Sequence, residues 1–443
     1  MLFTCIIISA AVLLDVSCKS NAESGKINKG EIADMLSIPA LFERQGELAK
    51  ATEWEKTKVK VAELNQKIAA NSNDIKSRLQ LATIYITEAR ITGQHGYYDP
   101  AIYNILDGVL ALDPKNFEAY VYKASVKMSQ HQFSEGKELA EKARVINADN
   151  AYVYGMLVDA NVELGNYKEA ILMSDKMQSI KPSLEAYSRA SYLREIFGDY
   201  PGAKQAMKMA LAAGVPGSES GEWTRTILGD LYLNTGELDS AEMLYKISLE
   251  VRPDFPNAEM GLAKVEKARK NYDSAIAHTE AAIRIVSEAP YVAFLGELYL
   301  LKGDKNKAEE ISNDVVDLLE KAEKEQSNSA SKHNGNRELA TAYLNAGKLD
   351  KALEYAQNDL KLRPENIDAN ELVGWIAYLK GDNTLAKASA EKMLTTNTMN
   401  ANSLYKAALI YKQVGEQAKS EMLMAKSKSV SKHIDEKIMM AGR

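Results

Sequence analysis

Five histidines and two cysteines are the residues of this 443-residue chain best suited to metal or nucleophilic chemistry. The histidines are His95, His131, His278, His333 and His433, and no two stand at the i, i+4 spacing with which one helix holds a metal ion. The two cysteines, Cys5 and Cys18, both lie within the first eighteen residues and thirteen positions apart, so no CxxC pair exists. Gly214, Gly217 and Gly221 are not spaced as a phosphate-cradling loop and follow no strand. Carboxylates such as Asp230 and Glu297 fall on predicted helices, where a solvated side chain is the ordinary expectation. No constellation of nucleophile, base and oxyanion donors emerges. The sequence therefore predicts a chain that is not an enzyme, with no metal and no cofactor.

The elements that would position these residues are set by a repeat. A small residue recurs at Ala101, Gly136, Ala170, Ala203, Ala241, Ala275, Ala308, Ala352, Ala386 and Ser420, mostly at steps of 33 to 35 residues. Self-similarity at that period signals tandem helix-turn-helix units. Trp223 to Pro253 shows the grammar. Leu228, Gly229 and Tyr232 belong to a first helix, Gly236 ends it through a left-handed backbone, and Ala241 and Tyr245 follow on a second helix that Pro253 stops. Gly229 and Ala241 allow close helix approach, while the tyrosines fill the space between helices.

The same grammar returns as Gly296, Tyr299, Gly303 and Ala308, then as Ala340, Tyr343, Gly347, Ala352 and Pro364. Gly374, Gly381 and Ala386 continue it, as do Ala408, Tyr411 and Gly415. Upstream, Leu157, Gly165, Tyr167, Ala170 and Pro182 fit, and so do Leu81, Ala82, Tyr85 and Ala101. On these residues the chain resembles the tetratricopeptide repeat from roughly residue 75 to 434. The family's first-helix tryptophan is missing, with Tyr120, Tyr154 or Tyr187 near its place. The resemblance implies an all-α fold, a right-handed α-solenoid of about ten tandem helix-turn-helix repeats.

The expected organisation is a leader at 1–17, a flexible tether at 18–40 and N-terminal capping helices at 41–74. Repeats 1–7 follow over 75–322, a polar insertion loop over 323–336, repeats 8–10 over 337–434 and a tail at 435–443. Ile91 to Tyr97 reads as an insertion between the helices of the first repeat, and Gly214 to Gly221 lengthens the link before Trp223. The net charge of −6 leaves no basic footprint for nucleic acid.

Leu2 to Leu14 is apolar but too short for a comfortable membrane span. With Asp15-Val16-Ser17-Cys18-Lys19 after it, the leader resembles a bacterial lipoprotein signal, cleaved before Cys18 with lipid on its sulfur. It departs from that pattern by lacking a basic residue ahead of the apolar run and by carrying Asp15, and an ordinary cleaved signal is the alternative. The lipoprotein reading implies a bacterial cell-envelope protein held to a membrane only by its lipid anchor, with Lys19 similar to outer-membrane sorting and the array on the periplasmic or surface side.

In the tetratricopeptide family, first helices line the concave groove. The resemblance carries that role onto Tyr152, Asp159, Tyr192, Glu195, Trp223, Asp230, Glu297, Trp375, Tyr378 and Tyr405. The lining is aromatic and acidic, and it lacks the Lys and Asn set by which relatives clamp acidic chaperone tails. Each aromatic could equally pack against the next repeat. The implied function is a membrane-tethered protein-protein interaction scaffold that takes a peptide segment of an envelope partner. A glycan- or solute-binding surface lipoprotein using the aromatic residues is the alternative, and a structural spacer a third reading.

Overall fold

The computed structural model describes residues 38–44, 49, 52–327 and 333–435. The leader, Cys18, the tether up to residue 37, the centre of the polar loop at 328–332 and the tail from 436 lie outside the described residues. The rest is an all-α solenoid of ten helix pairs preceded by one capping helix. It divides into two compact units, one running to Met156 with 326–333, the other comprising Leu157–Glu325 and the chain from Asn334.

In the first unit α1 (Thr52–Ala70) precedes two pairs, α2 (Ile75–Thr92) with α3 (His95–Leu112) and α4 (Phe117–Ser129) with α5 (Phe133–Ile146). The unit boundary falls within α6 (Ala151–Glu163), whose partner is α7 (Tyr167–Ile180). Then come α8 (Leu184–Ile196) with α9 (Tyr200–Ala213), α10 (Glu219–Asn234) with α11 (Leu238–Val251), and α12 (Pro256–Ala268) with α13 (Tyr272–Ile285). They are followed by α14 (Ala289–Lys302) with α15 (Lys305–Ser327) and α16 (Asn336–Asn345) with α17 (Leu349–Leu362). The last pairs are α18 (Ile367–Lys380) with α19 (Asn383–Met393) and α20 (Ala401–Gln413) with α21 (Gln417–Val430).

One turn chemistry serves almost every pair. Two residues ahead of each second helix the chain turns through positive φ, as at Gly165 (79°), Gly198 (77°) and Gly236 (78°). His131 and Lys270 hold the same place with φ of 56° and 66°, at the steric cost a β-carbon meets there. Several first helices open on side-chain caps: Asn116, Ser183, Asn366 and Asn400 each accept a hydrogen bond from the amide three residues on. Within and between pairs, small residues set the approach. The Tyr245 ring lies between Gly229 and Gly261, where a β-carbon would fall 2.5 Å and 2.4 Å from its Cε1 atom.

The first repeat differs from the expected insertion. Both its helices run to 18 residues, so only Gly93 and Gln94 separate them, and Ile91 and Tyr97 are helical. α1 and a strap at residues 38–44 pack against its core. Tyr85 Oη donates to the Pro39 carbonyl (2.6 Å), Tyr97 Oη to that of Ala40 (2.8 Å), and the Phe42 amide donates to Tyr98 Oη (2.9 Å). Arg44 ends the strap with a two-pronged pair to buried Glu88 (2.9 and 2.7 Å), its guanidinium also 4.9 Å from the Trp54 ring centre.

The second unit closes on itself along a seam between residues some 200 positions apart. Asn366 Nδ2 donates to the carbonyls of Glu163 (3.0 Å) and Val162 (3.4 Å), and the Ile367 amide donates to Tyr167 Oη (2.9 Å). Arg363 pairs with Glu163 and, in two-pronged fashion, with Asp359 (2.9 and 2.6 Å). On one side of the seam the turns are glycines, with no side chain to meet the opposite turns. A β-carbon on Gly165 would lie 2.3 Å from the Glu365 carbonyl carbon, one on Gly198 2.7 Å from Met399 Cγ, and one on Gly236 3.2 Å from Ser431 Oγ. Lys267 adds an ion pair to Asp435 (3.0 Å). Among the described residues no helix is long and apolar enough to cross a membrane.

Candidate functional site

First helices of neighbouring repeats in the second unit are joined by a ladder of polar pairs. Arg189 on α8 grips Asp159 on α6 with two parallel bonds (2.9 and 2.6 Å). Asn234 on α10 donates to Glu195 on α8 (3.1 Å), and Lys264 on α12 reaches Asp230 on α10 (3.3 Å), which also accepts from Tyr245 Oη (2.9 Å). Lys267 on α12 pairs with Glu297 on α14 (2.6 Å). Farther along, Arg337 on α16 faces Asp368 on α18 (3.6 Å), and Lys406 on α20 pairs with Glu371 on α18 (2.8 Å). Asp230 and Glu297 are thus engaged across repeats, not solvated as the sequence suggested. The repeat period explains it, because it brings the same face of each first helix to the same place.

Burial tunes these groups. Asp159 sits above the usual carboxylate range because desolvation outweighs the opposing attraction of Arg189. Glu195, 7% exposed, is pushed up to about 8, by burial first and by Asp230 second. Glu371 is buried too, yet Lys406 and Ser403 outweigh that and hold it below its ordinary value. Lys267 is held above its ordinary value although burial opposes it, because Glu297 and Asp435 both face it.

The aromatic candidates divide. Trp375 is 6% exposed, stacked on Tyr378 at 5.0 Å between ring centres with Lys406 Nζ 5.8 Å from its ring, so its role is packing as much as display. Trp223, Tyr378 and Tyr405 are half-buried and keep part of their surface open, Trp223 beside the cluster of Tyr245 and Phe255. Tyr192 packs with Val158 and Val162 beside Ile367, which comes from across the seam. Tyr152 lies in the first unit, half-buried, its amide donating to Asn150 Oδ1 (2.9 Å).

Sequence spacing missed three things. Arg189, Lys264, Lys267 and Lys406 are the ladder's cations, legible only once acids and bases are compared one repeat apart. Arg363 and Asn366 hold the seam from loops that look like ordinary inter-repeat links. In the first unit, His131 and His333 stand with ring centres 4.6 Å apart although 202 positions separate them.

Family comparison agrees with this architecture. The tetratricopeptide repeat family matches residues 228–290 and 337–402. Over those two stretches the chain carries tetratricopeptide repeats. No curated protein sequence matches it. Among solved structures it is similar to PilF of Pseudomonas aeruginosa, with a TM-score of 0.38 and 15% identity over 46% of this chain and 92% of that one. PilW, a type IV pilus biogenesis factor, gives 0.39 and 18% identity over 49% and 96%. A tetratricopeptide repeat protein of Parabacteroides merdae gives 0.34 and 18% over 58% and 96%. These likenesses are too distant to carry a function.

Proposed function

We propose that this protein is a non-catalytic interaction scaffold that takes a peptide segment of a cell-envelope partner on its first-helix faces, tethered to a membrane by lipid on Cys18. The repeat fold supports partner binding in general. The observation that carries the finer reading is the ladder itself. It lines successive first helices with paired charges, and first helices also carry the half-open rings of Trp223, Tyr378 and Tyr405. A basic residue of an inserted segment can replace Lys264 or Lys267 as the partner of Asp230 or Glu297, while rings supply contact area at small entropic cost.

The test is retention of membrane proteins by the full chain, identified by mass spectrometry and repeated with Trp223→Ala and Tyr405→Ala. Loss of the same protein from both variants, with the helical signal intact, supports the reading. Undiminished retention by both removes the groove from it. Cys18→Ser should move the protein from the membrane to the soluble fraction. A variant that stays with the membrane sinks the tether.

A further inference from the structure

We propose that the seam of the second unit is a reversible latch over the first-helix ladder, opening without any repeat unfolding. Its use in admitting a partner rests on the interaction reading above, but the latch itself does not.

The seam and the repeat interfaces are built differently. Consecutive repeats are joined by apolar clusters, such as Ala241, Tyr245, Phe255, Ala258, Leu262 and Val265 between α11 and α12. The seam is mostly main chain and charge: the Val162 and Glu163 carbonyls, the Ile367 amide, Tyr167 Oη, the Arg363–Glu163 pair and Lys267 with Asp435. Among the described residues Ile367 and Met399 supply its apolar contacts. Water can take over each of these polar partners when turns part, whereas separating two repeats exposes hydrocarbon. With so little apolar contact, the seam can part while the repeats stay packed.

Geometry favours the same conclusion. The surfaces that meet are turns, at Gly165, Gly198 and Gly236 on one side and 365–366, 397–399 and Ser431 on the other. The solenoid between them can flex by a small rotation at each repeat, which sums to a wide gap at the seam without loss of any helix pair. Behind the seam lie Tyr192, Asp159 with Arg189, and Arg337 with Asp368. Closed, the latch leaves Tyr192, Asp159, Arg337 and Asp368 half-buried; open, it presents them as one polar face.

The test is hydrogen exchange at the Ile367 amide in the full chain, with Cys5 and Cys18 replaced by serine. A β-carbon on Gly236 would lie 3.7 Å from Ser431 Cβ, within the range a disulfide spans, so Gly236→Cys with Ser431→Cys staples the latch shut. Ile367 should exchange at least tenfold faster than Ile376 in the core of α18, slow to the core rate when the staple is oxidised, and recover on reduction. Exchange of Ile367 at the core rate in the unstapled chain would overturn the proposal. Tyr167→Phe gives a second route should the staple distort the turn. It removes the acceptor for Ile367 while keeping the ring, and should speed that amide several-fold with an unchanged melting temperature. A Tyr167→Phe chain whose Ile367 exchange is unchanged also counts against the latch. Retention of the partner found in the previous experiment, lost on oxidation and regained on reduction, ties the latch to binding. A latch that moves while retention does not leaves the latch standing and removes the groove reading.

Discussion

Gly165 rests on the main chain of Glu365, with room for a β-carbon on neither the carbonyl carbon nor the oxygen, 2.3 and 2.5 Å away. Gly347 has the same turn position and a similar φ, 72° against 79°, but nothing within 4 Å. The pair separates backbone strain from docking. Gly347→Ala should cost about 1–2 kcal/mol for the left-handed conformation alone. Gly165→Ala should cost clearly more, because the partner is backbone and cannot turn aside. Urea unfolding followed by circular dichroism measures both, and equal midpoints would mean that the seam contributes nothing.

Lys270 is the converse case. It holds a positive φ of 66° at a turn where most repeats place glycine. Lys270→Gly should relieve the strain and, set against the greater freedom of the unfolded glycine, raise stability by up to about 1 kcal/mol. A melting temperature that falls instead would show that contacts of the lysine outweigh its backbone cost.

Glu195 gives the array a pH dependence with a definite sign. Its folded value of about 8 lies above the 4.5 of the free side chain, so folding favours the protonated acid. That contribution is full below pH 4.5 and is lost as pH rises through 8. Glu195→Gln keeps the shape and removes the titration. The variant should melt close to wild type at pH 5 and several degrees higher at pH 9. Parallel melting curves at both pH values would place the carboxylate in a wetter setting.

Arg44 and Glu88, both almost wholly buried, define the strap's strongest link. Arg44→Ala leaves a buried carboxylate unpaired and should cost about 3–5 kcal/mol. Arg44→Met with Glu88→Leu should recover most of that loss, since an apolar pair of similar volume needs no counter-charge. Thermal unfolding of the single and double variants decides it. A double variant no better than the single would show that the charge pair orders the strap in some further way.

The period, the small residues and the turn glycines were legible because each obeys a rule within one repeat. Gly236 predicted its own positive φ, and Gly229 its approach to Tyr245. Asp230 and Glu297 were misread because their partners, Lys264 and Lys267, lie one repeat away and belong to no local motif. The seam was invisible for a stronger reason. It depends on how many repeats complete a turn of the solenoid, a sum of small rotations that no residue encodes, so Arg363 looked like any other basic residue ahead of a proline. Trp375 showed its large ring in the sequence but not the stack with Tyr378 that hides it.

The strap also settles where the array bears tension. A pull on the chain ahead of Ile38 meets Pro39, Ala40, Phe42 and Arg44 in turn, and each is fastened to α2 or α3. Load therefore enters the first helix pair sideways, through hydroxyl groups and one charge pair, before it is passed along the helices. Drawn out by its ends in a force-extension measurement, the protein should release the strap as a short early step, ahead of the longer steps of unravelling repeats.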